Sequence, residues 1–217
     1  MRKYHQTSLP RSSKSEAVSN SLAKNVKHRR RNAAVFYTGG MKTILQQDQH
    51  ELGLTSPKDG EITWTRRAVR AVAFNDKNQV ALIEYTKLDS RKLPGGGVDE
   101  GEELMAALAR EVKEEIGYEI KEVIGEIGIV DETRYYSHMH QISYAYFVRV
   151  GAFVGTEPTE KELSRGIETR WYDSLDEAIA HIESSSGIDE DGDEIGRIMM
   201  NRRDIAILRE AKTLLKL

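Results

Sequence analysis

At 217 residues, with 39% hydrophobic and 31% charged side chains and a net charge of −3, the chain has the length and composition of one ordinary globular domain plus a tail. The absence of cysteine excludes disulfides, thiolate nucleophiles and cysteine-bound zinc. No run approaches the roughly 18 apolar residues of a membrane span, and the first residues carry no apolar signal core, so the expected location is the cytoplasm, with no membrane partner.

In chain order, residues 1–40 hold nine basic side chains against the single acid Glu16, a segment charge of +8 that leaves −11 for the remainder. Serine-rich and poor in large apolar residues, residues 1–60 are expected to form a flexible basic extension, and residues 61–217 the folded domain. The extension reads either as solvating chain or as a charge-driven contact for nucleic acid through residues 27–31. Composition changes at Met41, so a start there is open.

Residues 67–74 and 79–85 are β-rich runs around the turn-forming Asn75-Asp76-Lys77-Asn78, which predicts a hairpin. A glycine-rich turn at residues 94–97 precedes a helix predicted over 103–116, ended by Gly117. Strands are predicted near 122–131 and 140–150, the second with Ile142, Tyr144, Tyr146 and Val148 on one face at period two. A short strand near 169–172 and helices over 175–183 and 202–215 complete a mixed-sheet α/β pattern.

The chemistry concentrates in Arg110-Glu111-Val112-Lys113-Glu114-Glu115. On a helix Glu111 lies three and four residues from Glu114 and Glu115, so the carboxylates share a neighbourhood and repel. A hard divalent cation with oxygen ligands, Mg²⁺ or alternatively Mn²⁺, would relieve that repulsion. Leu104, Leu108 and Val112 form an adjacent apolar ridge suited to packing on the sheet. Taken alone, such a run is more often a solvated helix face.

Its surroundings decide otherwise. Gly96, Glu102, Arg110, Glu111, Val112, Glu114, Glu115 and Gly117 stand at the spacings of the Nudix box, and the chain resembles the Nudix (MutT-like) hydrolase family over these residues. Tyr118 departs from the aliphatic residue of the family's last position, which packs rather than ligates. The resemblance implies a Nudix α/β/α sandwich with a central mixed sheet. It also implies that Glu111, Glu114 and Glu115, with the Gly95 carbonyl, bind Mg²⁺ while Arg110 orients Glu111. The implied activity is hydrolysis of a phosphoanhydride in a nucleoside diphosphate linked to another moiety, with Glu111 as a candidate general base. Glu160, Glu162 and Glu168 are candidates for a further carboxylate from outside the box, with Glu162 central among them.

The lack of cysteine removes the isopentenyl diphosphate isomerase branch. Prolines only at positions 10, 57, 94 and 158 weaken the ADP-ribose branch. Tyr135 and Tyr136 stand where dinucleoside polyphosphate hydrolases often carry a substrate tyrosine, and nucleoside triphosphates and nucleotide sugars remain open. His138 and His140 would share one strand face. Asp189, Asp191 and Asp193 fail the spacing of a calcium loop and read as a solvated loop. A homodimer is common in the resembling family. The alternative function is a non-catalytic Nudix module that senses a nucleotide, with its basic tail on nucleic acid.

Overall fold

The computed structural model describes residues 40–189 and 191–216. The basic segment before Gly40, and with it the nucleic-acid reading, lies outside the described residues. Seven strands make one mixed sheet: β1 (Thr43–Asp48), β2 (Trp64–Phe74), β3 (Val80–Tyr85), β4 (Ser90–Lys92), β5 (Tyr118–Arg134), β6 (Met139–Phe153) and β7 (Ile167–Tyr172). Their order is β1-β5-β6-β2-β3-β4, with β7 on β3. The helices are α1 (Leu104–Ile116), α2 (Glu160–Arg165), α3 (Leu175–Glu183) and α4 (Glu194–Leu215).

From Ala68 to Phe74 strand β2 is buried on both faces, which is why this part reads as a largely apolar run, broken only by Arg70, rather than an alternating one. Val69, Ala71 and Ala73 face Leu108, Val112 and Ile116 of α1, together with Tyr146, Val148 and Val150 of β6. Val72 and Phe74 face the opposite layer, where Ile179 and Ile182 of α3 and Ile207, Leu208 and Ala211 of α4 close the core. The Leu104, Leu108 and Val112 ridge thus pins α1 onto one side of the sheet, and the layers stack α/β/α.

Several expectations change. Residues 43–48, inside the segment expected as an extension, form β1 parallel to β5, from Thr43 beside Ile129 to Asp48 beside Thr133. Runs 67–74 and 79–85 are antiparallel, yet pair only at Phe74 and Val80. Strand β2 instead runs parallel to β6 along its length, and β3 pairs with β4 and β7. On β6 the expected face from Ile142 to Val148 stands, and the opposite face of Gln141, Ser143, Ala145 and Phe147 is buried as well. Helix α4 begins at Glu194, eight residues before its expected start.

Asp193 caps α4, its carboxylate accepting from Ile195 N at 2.9 Å. Asp189 is not solvated: it is buried, and its Oδ1 accepts from the Asp191 and Asp193 amides at 2.9 and 2.8 Å. The other carboxylate oxygen meets Tyr136 Oη at 3.2 Å. Gly196 is needed because a β-carbon there would strike the Asp189 carboxylate. Among the described residues no helix is long and apolar enough to cross a membrane.

Candidate active site

Helix α1 lacks a side-chain cap at Glu103 but ends firmly, since Gly117 takes φ +76° and donates to Lys113 O at 2.9 Å. The helix therefore holds Glu111, Glu114 and Glu115 on its last two turns, beside the turn that follows β4. That turn is stitched to β2 by Ala71 N to Pro94 O at 2.8 Å, Val69 N to Gly96 O at 3.0 Å and Val98 N to Arg67 O at 2.9 Å. Gly95 sits at φ +131°, and a β-carbon there would collide with the Val69 carbonyl. A β-carbon on Gly96 would collide with the Glu111 carboxylate. Gly95 is thus required by its positive φ and its close approach to backbone, whereas at Gly96 the close approach is to an acid side chain.

Arg110 is the hub of the outer part of the site. Its Nε and Nη2 donate to the two carboxylate oxygens of Glu102 at 3.0 and 2.9 Å, a bidentate pair. Nη1 donates to Glu111 Oε1 at 2.8 Å and Glu114 Oε2 at 3.2 Å, and Nη2 reaches Gly97 O at 2.9 Å. One guanidinium ties box start, turn and acidic helix together. The hydrogen bonds to Arg110 hold the Glu102 carboxyl down at about 2, and the same bonds raise Arg110 itself.

Glu115 forms the inner part. Its Oε2 accepts from Gly95 N at 2.6 Å, and its Oε1 lies 2.8 Å from Lys92 Nζ. Burial pushes this carboxyl above the ordinary range; Lys92 works against that shift, and the nearby negative charge of Glu111 adds to it. Two buried acids one helical turn apart, Glu111 and Glu115, thus both face the glycine turn, which is a costly arrangement for a chain to keep.

Among the described residues no three acidic or histidine side chains already converge as a finished cation cage. Glu111 and Glu114 are turned onto Arg110, and Glu115 onto Lys92 and the Gly95 amide. The donor set nonetheless fits a hard divalent ion: carboxylate oxygens only, two of them buried and mutually repelling, beside a glycine peptide. Glu111, Glu114, Glu115 and the Gly95 carbonyl could hold it.

Other expected residues fall elsewhere. Tyr135 and Tyr136 lie on a 3-10 turn, Tyr135–Ser137. The Tyr135 ring stacks on His50 at 3.8 Å, and its hydroxyl donates to Asp48 at 3.1 Å. Tyr136 is buried against Asp189. These polar partners lie in segments 48–50 and 189, not on α1. His138 sits outside β6 at φ +58°, so it does not share a strand face with His140, which pairs with Asp131 at 2.7 Å.

Glu162 is the third residue of α2, and its carboxylate accepts from Thr159 N at 2.7 Å and Thr159 Oγ1 at 2.8 Å in a capping box. Glu168 stands opposite Glu84 on β7 and is exposed, as is Glu160. From the same region it is Glu157 that reaches α1, its amide donating to Glu114 O at 2.9 Å and its carboxylate meeting Lys113 at 2.8 Å. Lys92 went unforeseen; its only signal was a lysine leading into a glycine-rich turn.

A family model described as the NUDIX domain matches residues 64–187, more than half of the chain, and the chain belongs to the Nudix family. Its α/β/α architecture is the one that membership implies. Over 58 residues the chain is 47% identical to an RNA pyrophosphohydrolase of Ruthia magnifica subsp. Calyptogena magnifica, a stretch covering 27% of this chain and 32% of that protein. The chain therefore matches about a third of that curated relative's length.

Similar solved structures include a MutT NUDIX hydrolase from Burkholderia pseudomallei, with 22% identity over 53% of this chain and 87% of that one and a TM-score of 0.43. A NUDIX hydrolase from Nitrosomonas europaea is 21% identical over 65% and 88% of the two chains, with a TM-score of 0.45. Nudix hydrolases generally use divalent metal ions.

Proposed function

We propose that this chain is a Mg²⁺-dependent pyrophosphohydrolase acting on a nucleoside diphosphate linked to another moiety. The observation that carries the reading is the placement of Glu111, Glu114 and Glu115 beside the Gly95 turn, bracketed by Arg110 and Lys92. Glu111, Glu114, Glu115 and the Gly95 carbonyl would hold the cation. Held there, a Mg²⁺ ion would supply charge neutralisation on the departing phosphate and a lowered pKa for the attacking water.

The chain's own groups do the rest. Arg110, fixed by Glu102 and Gly97 O, keeps the Glu111 carboxylate oriented, and Glu111 would take the proton from water as it attacks phosphorus. Lys92 balances the buried Glu115 so that this acid stays seated against the Gly95 amide. The stretch shared with an RNA pyrophosphohydrolase adds RNA with a pyrophosphate-bearing end to dinucleoside polyphosphates, nucleotide sugars and nucleoside triphosphates as substrate classes.

The test is product identification after incubating the purified chain with Mg²⁺ and each of these classes, beside Glu114→Gln. The expected result is Mg²⁺-dependent cleavage into two phosphorylated halves, lost in the variant. A chain that binds nucleotide yet leaves every substrate intact would be a nucleotide-sensing module instead.

A further inference from the structure

Helix α4 lies beyond the family-matched segment, which stops at residue 187, yet one of its acids reaches the turn that carries the site. Asp204 is fully buried. Its Oδ2 accepts from Leu93 N at 2.8 Å, and its Oδ1 accepts from Arg203 Nε at 2.7 Å. Leu93 directly follows β4 and opens the turn through residues 94–97. Every later link of that turn comes from β2 or α1: Pro94 O to Ala71, the Gly95 amide to Glu115, Gly96 O to Val69 and Gly97 O to Arg110. The Leu93 amide alone in this series is held from the opposite layer, by a charged side chain.

Burying a carboxylate costs several kcal/mol unless it is paired and hydrogen-bonded. A strand-end amide is ordinarily met at far lower cost by backbone or water. Spending a buried ion pair on this amide makes sense where its position matters. Arg70 is buried on the α4 side of β2, where the charges of Arg203, Asp204 and Glu115 all act on it, and its Nη1 donates to Val69 O at 2.8 Å, the carbonyl against which Gly95 packs. The helix on one face of the sheet is thus in polar contact with the turn that serves the other face.

We propose that Asp204 is a positioning residue for the cation-binding turn, fixing Leu93 so that the Gly95 peptide meets Glu115 in register. The proposal rests on the metal-dependent reading above. Its test uses the full chain freed of metal, titrated with Mn²⁺ and followed by electron paramagnetic resonance, comparing wild type, Asp204→Asn and Asn201→Ala. Asn201 serves as the control because it is also buried on α4 but bonds Ile182 O of α3 at 3.1 Å, away from the turn.

Loss of a partner that orients metal ligands typically weakens binding roughly tenfold to a hundredfold. Asp204→Asn should show such a loss, whereas Asn201→Ala should lower the melting temperature and leave Mn²⁺ affinity unchanged. Equal affinity in Asp204→Asn and wild type would overturn the proposal alone. A wild-type chain that takes up no Mn²⁺ would overturn both it and the function it rests on.

Should Asp204→Asn not fold, hydrogen exchange of the wild type decides the matter. Because coupling is reciprocal, Mg²⁺ should slow exchange in residues 89–97 and 200–208 together, and more than in α3. Protection confined to 89–97, or spread equally over α3, would overturn the proposal.

Discussion

The two faces of the sheet carry charge in opposite ways. Beside α1, four carboxylates (Glu102, Glu111, Glu114 and Glu115) share two cations, Arg110 and Lys92, and the cluster opens to solvent: the Glu114 and Arg110 side chains are 40% and 30% exposed. Under α4, Glu132 and Asp204 are wholly buried among Arg70, Arg134 and Arg203. Glu132 accepts from Gln47 at 2.8 Å, Arg134 at 2.8 Å and Gln141 at 3.0 Å, and lies 3.9 Å from Arg203. Two acids buried among three arginines form a closed network, which holds a structure in one arrangement. An open cluster with surplus negative charge is one that a cation completes.

The largest effect expected on the open side is that of Glu114→Gln. It keeps the shape and removes one charge from the surplus, and if Glu114 holds the cation as proposed, its loss costs several kcal/mol of transition-state stabilisation, on the order of 10³-fold in kcat. Melting of the metal-free variant should be no lower than that of wild type, since like charges are being relieved. A variant that retained full Mg²⁺-dependent turnover would erase the distinction between the two faces. On the closed side the expected signature is reversed. Glu132→Ala strands Arg134 and Arg203 in the core, and urea titration should show a loss of about 3 kcal/mol, the scale for breaking a buried pair.

This contrast also explains what could be read from the sequence. The box residues were legible because their spacing is local: helical geometry alone brings Glu111 to Glu114 and Glu115, and Gly117 marks the end. Helix α3 was legible to the residue, with Ser174 capping it at Glu177 N and Leu175, Ala178, Ile179 and Ile182 on its buried face. Strand β1 was not, since Thr-Ile-Leu-Gln-Gln-Asp becomes a strand only by pairing with β5 some eighty residues away.

The hairpin reading held only at the turn, for the same reason. The partner that pairs with β2 along its whole length is β6, in parallel, and only the turn itself has a local signal. The aspartates at 189–193 looked solvated because polar residues usually are. What buries Asp189 is a tyrosine fifty-three positions back and a glycine on the next helix. Asp204 carried no signal at all, because its partner is a main-chain amide in another layer.

A smaller effect sharpens the role of the bridge between the two acids of α1 and the start of the box. Lysine in place of Arg110 keeps the charge but cannot make the forked contact to Glu102 while also reaching Glu111, Glu114 and Gly97 O. Mn²⁺ affinity and kcat in Arg110→Lys should fall roughly tenfold to a hundredfold, less than for Glu114→Gln, because the ligands remain and only their orientation is lost. A drop as large as that of Glu114→Gln would mean that Arg110 touches the substrate directly.

The smallest effect concerns pH, and its sign is fixed by the direction of the Glu102 shift. The carboxyl stands at about 2 in the folded chain against an ordinary 4.5, chiefly because Arg110 hydrogen-bonds its ionised form. Between those values the unfolded chain binds the extra proton and the folded chain does not, so acidification favours unfolding there. The contribution of this pair is therefore fully present above about 4.5 and fades as the pH falls through about 2. In urea titrations, the gap in midpoint between wild type and Glu102→Gln should be constant from about pH 7 to about pH 5 and should narrow steadily below the ordinary carboxylate range. A gap that stayed the same down to about pH 3 would show that Glu102 holds Arg110 by shape and not by charge. The surplus negative charge on the open face would then have to be counted with one ionised group fewer tied to the arginine.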